Sequence, residues 1–436
     1  MSRVVVIGGG YGGMASAARL AKLGHEVTLV EHATSLGGAL EPVTQDGFTW
    51  DASATSMLLP AVARDLFRKS GRTLEAELGT ELVALDVIRE HRFVDDSVLR
   101  LPGGSRAAQL AAFDALHPGA GRQWVDHVAS YTDVWETLRR HYLERPWTPD
   151  ALPREVAAIL DSRETLHKRL RRTFRDERLR MVAGHPFVAD GHDLRNVPAW
   201  AGVSAYLEQR FDAWTVPGGM HVLAAALAKR LLTRGVRIVL DSEVRDLVVE
   251  AGRVRAVVTG MGPVDADVVV CAIDPRRLPA IARLVERTMP AIPPQVSFVG
   301  LDATGLPELP AEVVLHGEPT LVVRTGGTAP PGHAAWTLQG RGRLSEDIGV
   351  ALARHGIDVR SHVVTRVDRS PRELVEAWHG SPLGVLWQGR GTVRRRLGPR
   401  TPVEGLYVAG AHGTPGSGLP YVGLSAALVA QCVGPA

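Results

Sequence analysis

Val4-Val5-Val6-Ile7 runs straight into Gly8-Gly9-Gly10-Tyr11-Gly12-Gly13, and after a helical stretch closed by Gly24 the segment Val27-Thr28-Leu29-Val30 ends at Glu31. The first run is a short, β-branched, buried-type strand. The glycines form a G-x-G-x-x-G in which each position has a physical task. Gly8 permits the tight turn, Gly10 lets backbone N–H groups approach a pyrophosphate, and Gly13 lets the helix lie close to the strand. The helix start carries partial positive charge suited to phosphate. Glu31 closes the second strand at the distance expected for an acid that accepts hydrogen bonds from ribose hydroxyls. Strand, turn, helix, strand and acid in this order specify a dinucleotide-binding unit.

The remaining 405 residues of a 436-residue chain must form more than this unit, and that length predicts two or three domains. Hydrophobic residues make up 45% and charged residues 22%, an ordinary globular balance. A net charge of +3 provides no electrostatic basis for a nucleic-acid role. No apolar run is long enough to span a bilayer, and the strand that starts at once leaves no room for a leader, so the expected location is cytoplasmic. The two cysteines, Cys271 and Cys432, are too far apart in sequence for a redox pair or a metal cluster. Lysine occurs only at Lys22, Lys69, Lys168 and Lys229, so 46 of the 50 basic residues are arginine.

Beyond Glu31, Ser35-Leu36-Gly37-Gly38 and Gly47-Phe48-Thr49-Trp50-Asp51 read as loop and short strand. From about residue 86 to 204 the pattern reads as helical and arginine-rich. Pro217-Gly218-Gly219-Met220 opens a predicted helix, and strands are expected near 236–240, 243–247, 254–259 and 267–272. A mixed segment from about 290 to 392 follows. The chain then runs through the strand-like Leu406-Tyr407-Val408 into Gly410 and ends in an apolar helix, expected from Gly423. No second G-x-G-x-x-G follows a strand, so the substrate itself is the expected source of reducing equivalents.

Val4 to Gly38 resembles the FAD-binding start of the amine oxidase and phytoene desaturase superfamily, and Gly37-Gly38 matches its glycine doublet, with Ala39 where an arginine often follows. Trp214 to Met220 is similar to the superfamily's W-x-P-x-G-G-M. Val244 falls where a valine backbone contacts adenine. Gly405 to Pro420 resembles the phytoene desaturase flavin segment, with His412 replacing its second glycine. The resemblance implies non-covalent FAD held by Gly8, Gly10, Gly13, Glu31, Gly37, Gly38, Val244, Gly410, Ala411, Gly418 and Leu419.

It also implies a fold: an α/β, FAD-binding Rossmann-type three-layer domain from 1–85, 205–285 and 393–436. A mixed α/β substrate domain would come from 86–204, largely helical and inserted, and 286–392. The implied chemistry is desaturation of an apolar isoprenoid, polyene or other natural product by hydride transfer to flavin N5, with dioxygen or a quinone taking the electrons. An amine or amino-acid oxidase is the alternative, weakened by the absence of any lysine after Lys229. A non-redox isoprenoid-binding escort protein is the alternative of another class. His412 and Tyr421 are the candidate catalytic side chains, each with a structural hydrogen bond or packing contact as its competing role. Asp51 reads as a cap near the flavin loop.

Asp161 and Glu164 suggest a capping box for an amphipathic helix carrying Leu166, Leu170 and Phe174. Eight basic against four acidic residues between Asp161 and Arg180 make this segment a candidate for peripheral membrane contact. A helix that roofs the substrate domain is the favoured reading.

Overall fold

The computed structural model describes residues 1–148 and 151–436. Arg3–Ile7 is the middle strand of a five-stranded sheet, ordered Leu406–Val408, Val268–Cys271, Arg3–Ile7, Glu26–Val30 and Arg237–Val239. All four pairings are parallel. Both faces of the middle strand are covered, which is why it reads as continuous Val-Val-Val-Ile rather than alternating. Val4 and Val6 face a helical layer built from Tyr11–Lys22, Pro60–Ser70, His221–Thr233 and Leu419–Val433. Val5 and Ile7 face the antiparallel ribbon Val244–Glu250, Arg253–Thr259 and Gly262–Asp265. The result is a three-layer α/β arrangement with the sheet in the middle.

The helix Leu419–Val433 packs along Tyr11–Lys22. The N–H of Ala436 donates to the carbonyl of Leu23 at 3.0 Å, and His25 Nε2 lies 2.9 Å from the carbonyl of Gly434. The two ends of the sequence are therefore bound together behind the sheet.

A second, seven-stranded sheet runs in the order Val363–Arg369, Gln295–Asp302, His333–Arg341, Thr320–Gly327, Glu312–Leu315, Val87–Arg92 and Val98–Pro102. Its pairings are antiparallel except Glu312–Leu315 with Val87–Arg92. Helices from Arg106–Asp114 to Val203–Phe211 form a lobe beside it with two apolar clusters. In one of these the Phe113 and Trp124 rings stack at 4.2 Å. Full burial of side chains of this size stabilises by roughly 1.5–3 kcal/mol each.

Three sequence expectations need correction. The helical segment expected from about 86 begins instead with two strands of the large sheet. Arg89, Glu90 and His91 hid the first strand because its buried faces carry charge and imidazole in place of apolar side chains. The capping box is absent: Asp161 ends the helix Arg154–Leu160, and Thr165 caps Leu166–Thr173 by accepting from the Lys168 N–H. The C-terminal helix begins at Leu419, four residues before Gly423.

Leu166, Leu170 and Phe174 are all buried in the helical lobe. The apolar stripe of that helix is thus taken up by the interior, as a roof helix requires. No helix among the described residues is long and apolar enough to cross a membrane.

Candidate functional site

The glycines of the first turn are fixed by close approach. A Cβ on Gly13 would lie 1.9 Å from the Gly8 carbonyl oxygen, so only glycine lets the helix start this near the strand. At Gly10 the situation is reversed, because a Cβ there meets nothing within 4 Å. The helix Tyr11–Lys22 begins at this open position with no side-chain cap, leaving its first N–H groups aimed at the space.

Two distant segments complete the rim. The Gly37 N–H donates to the Gly9 carbonyl at 3.0 Å, and a Cβ on Gly38 would lie 3.0 Å from the Gly10 Cα. From the other end of the chain, Gly410 comes so near that a Cβ on Gly12 would sit 2.9 Å from its Cα. Gly410 is held by its N–H, which donates to Ser425 Oγ at 2.7 Å, and Ala411 is pressed against Gly384. Gly418 precedes Leu419 at the start of the C-terminal helix, again without a side-chain cap. Two uncapped helix starts therefore face one glycine-lined region at the carboxyl ends of parallel strands, the usual ligand position in such sheets.

Glu31 stands at the other side of this region. It is 6% exposed and accepts from the N–H groups of Gly9 and Ala33 while its carboxylate pairs with His32 Nδ1 at 2.5 Å. Burial raises the Glu31 carboxyl, but the bonds from His32, Ala33 and Gly9 outweigh that and hold it below its usual range. It is an anion whose side chain already accepts hydrogen bonds. Val244 opens its strand just beyond Ser242, whose N–H donates to the Glu31 carbonyl at 2.9 Å.

Asp51 accepts from the N–H groups of Met220 and His221 at 2.9 and 3.0 Å and from His221 Nδ1 at 3.0 Å. It caps the helix His221–Thr233, so its structural role acts on that helix and not on the flavin loop. His412 is buried beside Asp274, with Nδ1 3.8 Å from the carboxylate, and burial lowers its pKa. Tyr421 lies elsewhere, packed with Tyr142, Trp147, Trp200 and Trp387 at the helical lobe. Burial pushes its phenol up to about 12, so it stays protonated near neutrality. The two candidate catalytic side chains are thus in different surroundings.

A buried ion network was not legible in the sequence. Glu312 accepts from Arg324 Nε at 2.8 Å and from Arg89 Nε at 3.3 Å, and Arg89 also pairs with Glu208 at 2.6 Å. Arg324 Nη1 reaches the Ser53 carbonyl at 2.7 Å, and Ser53 Oγ donates to the Ala39 carbonyl at 2.7 Å. The chain of contacts links the large sheet and the helical lobe to the residue that follows Gly37-Gly38. A run of charged residues separated by hundreds of positions gives no local signal of this kind.

One open cradle at Gly10, closed from the far end of the chain and faced by an acid, fits FAD, and the protein is an FAD-dependent oxidoreductase. Residues 11–298 match the flavin containing amine oxidoreductase family, and the chain belongs to that family. It is 29% identical to a hydroxyneurosporene desaturase from Cereibacter sphaeroides, over 99% of this chain and 97% of that protein. It is 26% identical to a 4,4'-diapolycopene oxygenase from Methylomonas sp, over 98% and 97% of the two chains. Cyclohexylamine oxidase from Brevibacterium oxydans superposes with a TM-score of 0.68 at 15% identity, covering 99% of each chain, which shows a shared fold.

Proposed function

We propose that the protein dehydrogenates an extended apolar substrate of isoprenoid or polyene type, introducing a C=C bond. The observation that carries this reading is the aromatic wall of Trp135, Tyr142, Trp200, Tyr206 and Trp387, assembled where Tyr421 and Leu424 project from the helix that starts at Gly418-Leu419. Its likeness over nearly full length to proteins named as carotenoid desaturases and oxygenases supports the same reading.

In this proposal Gly8, Gly10 and Gly13 hold the pyrophosphate, and Glu31 with the Val244 backbone holds the adenosine side. Gly37, Gly38, Gly410, Ala411, Gly418 and Leu419 line the flavin side. Bound FAD supplies the two-electron acceptor for C–H cleavage. The protein's own part is to orient the substrate and exclude water, which the aromatic wall does. Tyr421, protonated and at the wall, orients substrate, while His412 fills the space between the Gly410–Gly413 turn and Asp274. Dioxygen or a quinone takes the electrons in turnover.

Anaerobic addition of polyene candidates to the holoenzyme tests the proposal: bleaching of the flavin absorbance by at least one is expected. Bleaching by amines alone would establish the amine oxidase reading in its place. Glu31→Gln is expected to weaken FAD binding about tenfold, the effect of removing one charge-assisted hydrogen-bond acceptor. Titration of the apoprotein with FAD measures it, and an unchanged Kd would remove Glu31 from the cofactor site.

A further inference from the structure

Four arginines among the described residues are buried: Arg19, Arg89, Arg230 and Arg396. Three have carboxylate partners, Asp65 at 2.9 Å for Arg19, Glu208 at 2.6 Å for Arg89 and Glu77 for Arg230. Arg396, 6% exposed, has no carboxylate partner among the described residues. Its Nη1 donates to the Pro415 carbonyl at 2.7 Å, and its guanidinium lies over the Trp387 ring at 5.2 Å. Its Nε is buried without a hydrogen-bond partner. The Tyr142 hydroxyl also lies against the guanidinium, so every partner of this cation is neutral. A buried cation with neutral partners alone is expensive unless an anion joins it.

The groups around it are short of acceptors as well. Trp387 meets Trp200 edge to face at 5.5 Å, Trp200 meets Tyr142 at 6.3 Å, and Tyr142 meets Trp147 at 5.2 Å. Trp147 Nε1, Trp200 Nε1 and Ser204 Oγ are buried without a hydrogen-bond partner. Tyr142 sits on the π-helical turn Arg139–Leu143, a local irregularity often found at functional sites. The two indole orphans can only donate, and they share one aromatic cluster with Tyr421. A buried indole N–H is satisfied only by an acceptor, and neither indole here has one.

We propose that this cluster is a subsite for a carboxylate head group on the substrate, held by Arg396 and the neighbouring donors, with the apolar body along the aromatic wall towards Tyr421 and the Gly418–Leu419 turn. The subsite refines the proposed dehydrogenation of an apolar polyene and rests on that reading for the identity of the body. It makes the substrate amphipathic: apolar in its length and anionic at one end. An arginine offers two parallel N–H donors to a carboxylate, so the carboxylate is favoured over a hydroxyl.

The holoenzyme is titrated with all-trans-retinoic acid, with all-trans-retinol and with 3-phenylpropanoate, following quenching of tryptophan fluorescence. Retinoic acid is expected to bind at least about tenfold more tightly than retinol. In Arg396→Met that preference should fall to within about twofold, and Arg396→Lys should restore part of it. Trp200→Phe keeps a ring and removes the indole donor, so it should weaken the acid and leave retinol unchanged.

Equal affinity for acid and alcohol in the unmodified protein overturns the subsite while leaving the polyene reading intact. Arg396-dependent binding of 3-phenylpropanoate with no binding of either retinoid supports the subsite and overturns the polyene reading. A preserved acid preference in Arg396→Met, with a changed flavin potential, overturns the subsite and gives the guanidinium to the cofactor. Should Arg396→Met fail to fold, the Lys and Trp200→Phe variants carry the test, and an unchanged preference in both overturns it.

Discussion

Gly13→Ala is expected to yield protein without bound flavin and with a marked loss of stability. The added methyl would stand 1.9 Å from the Gly8 carbonyl oxygen, backbone against side chain, with no flexible group to give way. Gly8 cannot retreat easily, because its N–H donates to the Val30 carbonyl at 2.8 Å and its own Cα side is closed by Ile273. The cost lies at or above the upper end of the roughly 1–3 kcal/mol typical of overpacking.

Gly10→Ala separates folding from binding. Its φ of −71° and ψ of 176° suit any residue, and the methyl meets nothing within 4 Å. This variant should therefore fold normally while losing FAD affinity at least about tenfold, since its methyl would occupy space in the proposed pyrophosphate position. Thermal melting of the two apoproteins beside FAD titration measures both effects. A Gly13→Ala protein with native melting and native FAD binding would show that the helix is free to move off the strand.

Glu312→Gln should be the most damaging change away from the cofactor. The substitution keeps the shape of the side chain and removes the charge that joins Arg89 and Arg324. Breaking a buried pair by neutralising one member costs about 3–5 kcal/mol, because the remaining charges stay desolvated. Burial raises the Glu312 carboxyl, but the two guanidinium groups more than offset this and pull it from 4.5 down to about 2. A carboxyl with a depressed folded-state pKa stabilises above its unfolded value and loses that contribution as protons bind. The contribution is complete above about pH 4.5 and disappears as pH falls towards about 2. Acid unfolding of the unmodified protein should therefore show a component in this window that Glu312→Gln lacks. Equal acid profiles would show that the network adds nothing to stability. Because Arg324 also reaches Ser53 and, through it, Ala39, the variant should bind FAD less tightly as well.

The nucleotide half was readable because its chemistry is local. Gly8, Gly10, Gly13 and Glu31 lie within one strand–helix–strand unit, where spacing alone dictates which atoms meet. The glycine turn at Gly410 was readable for the same reason. The helical lobe was less so. Strand Val87–Arg92 carries Arg89 and His91 inward to partners on other elements, which erases the apolar alternation that marks a strand. The Leu166, Leu170 and Phe174 stripe showed its buried face correctly, yet Thr165 starts the helix and not the Asp161 that sequence suggested. Arg396 and Glu312 had no signature at all. Among 46 arginines, a buried one without a carboxylate partner is visible only when its neighbours are in place.

The binding of Gly434 and Ala436 to His25 and Leu23 has a consequence for biosynthesis. Those contacts join residues 409 and 413 positions apart, and the strand Leu406–Val408 is an edge strand that only late-made chain can supply. While the ribosome is still extending the chain, the Gly8 turn exists without the Gly410 turn that closes it. Flavin capture by the closed cradle therefore follows synthesis of the Gly410 turn, and the nascent N-terminal unit must wait with its cradle open. Pairings this remote in sequence form slowly and leave apolar surface uncovered in the meantime. Supply of FAD once the Gly410 turn has been made, rather than earlier in synthesis, should govern how much active protein a cell accumulates.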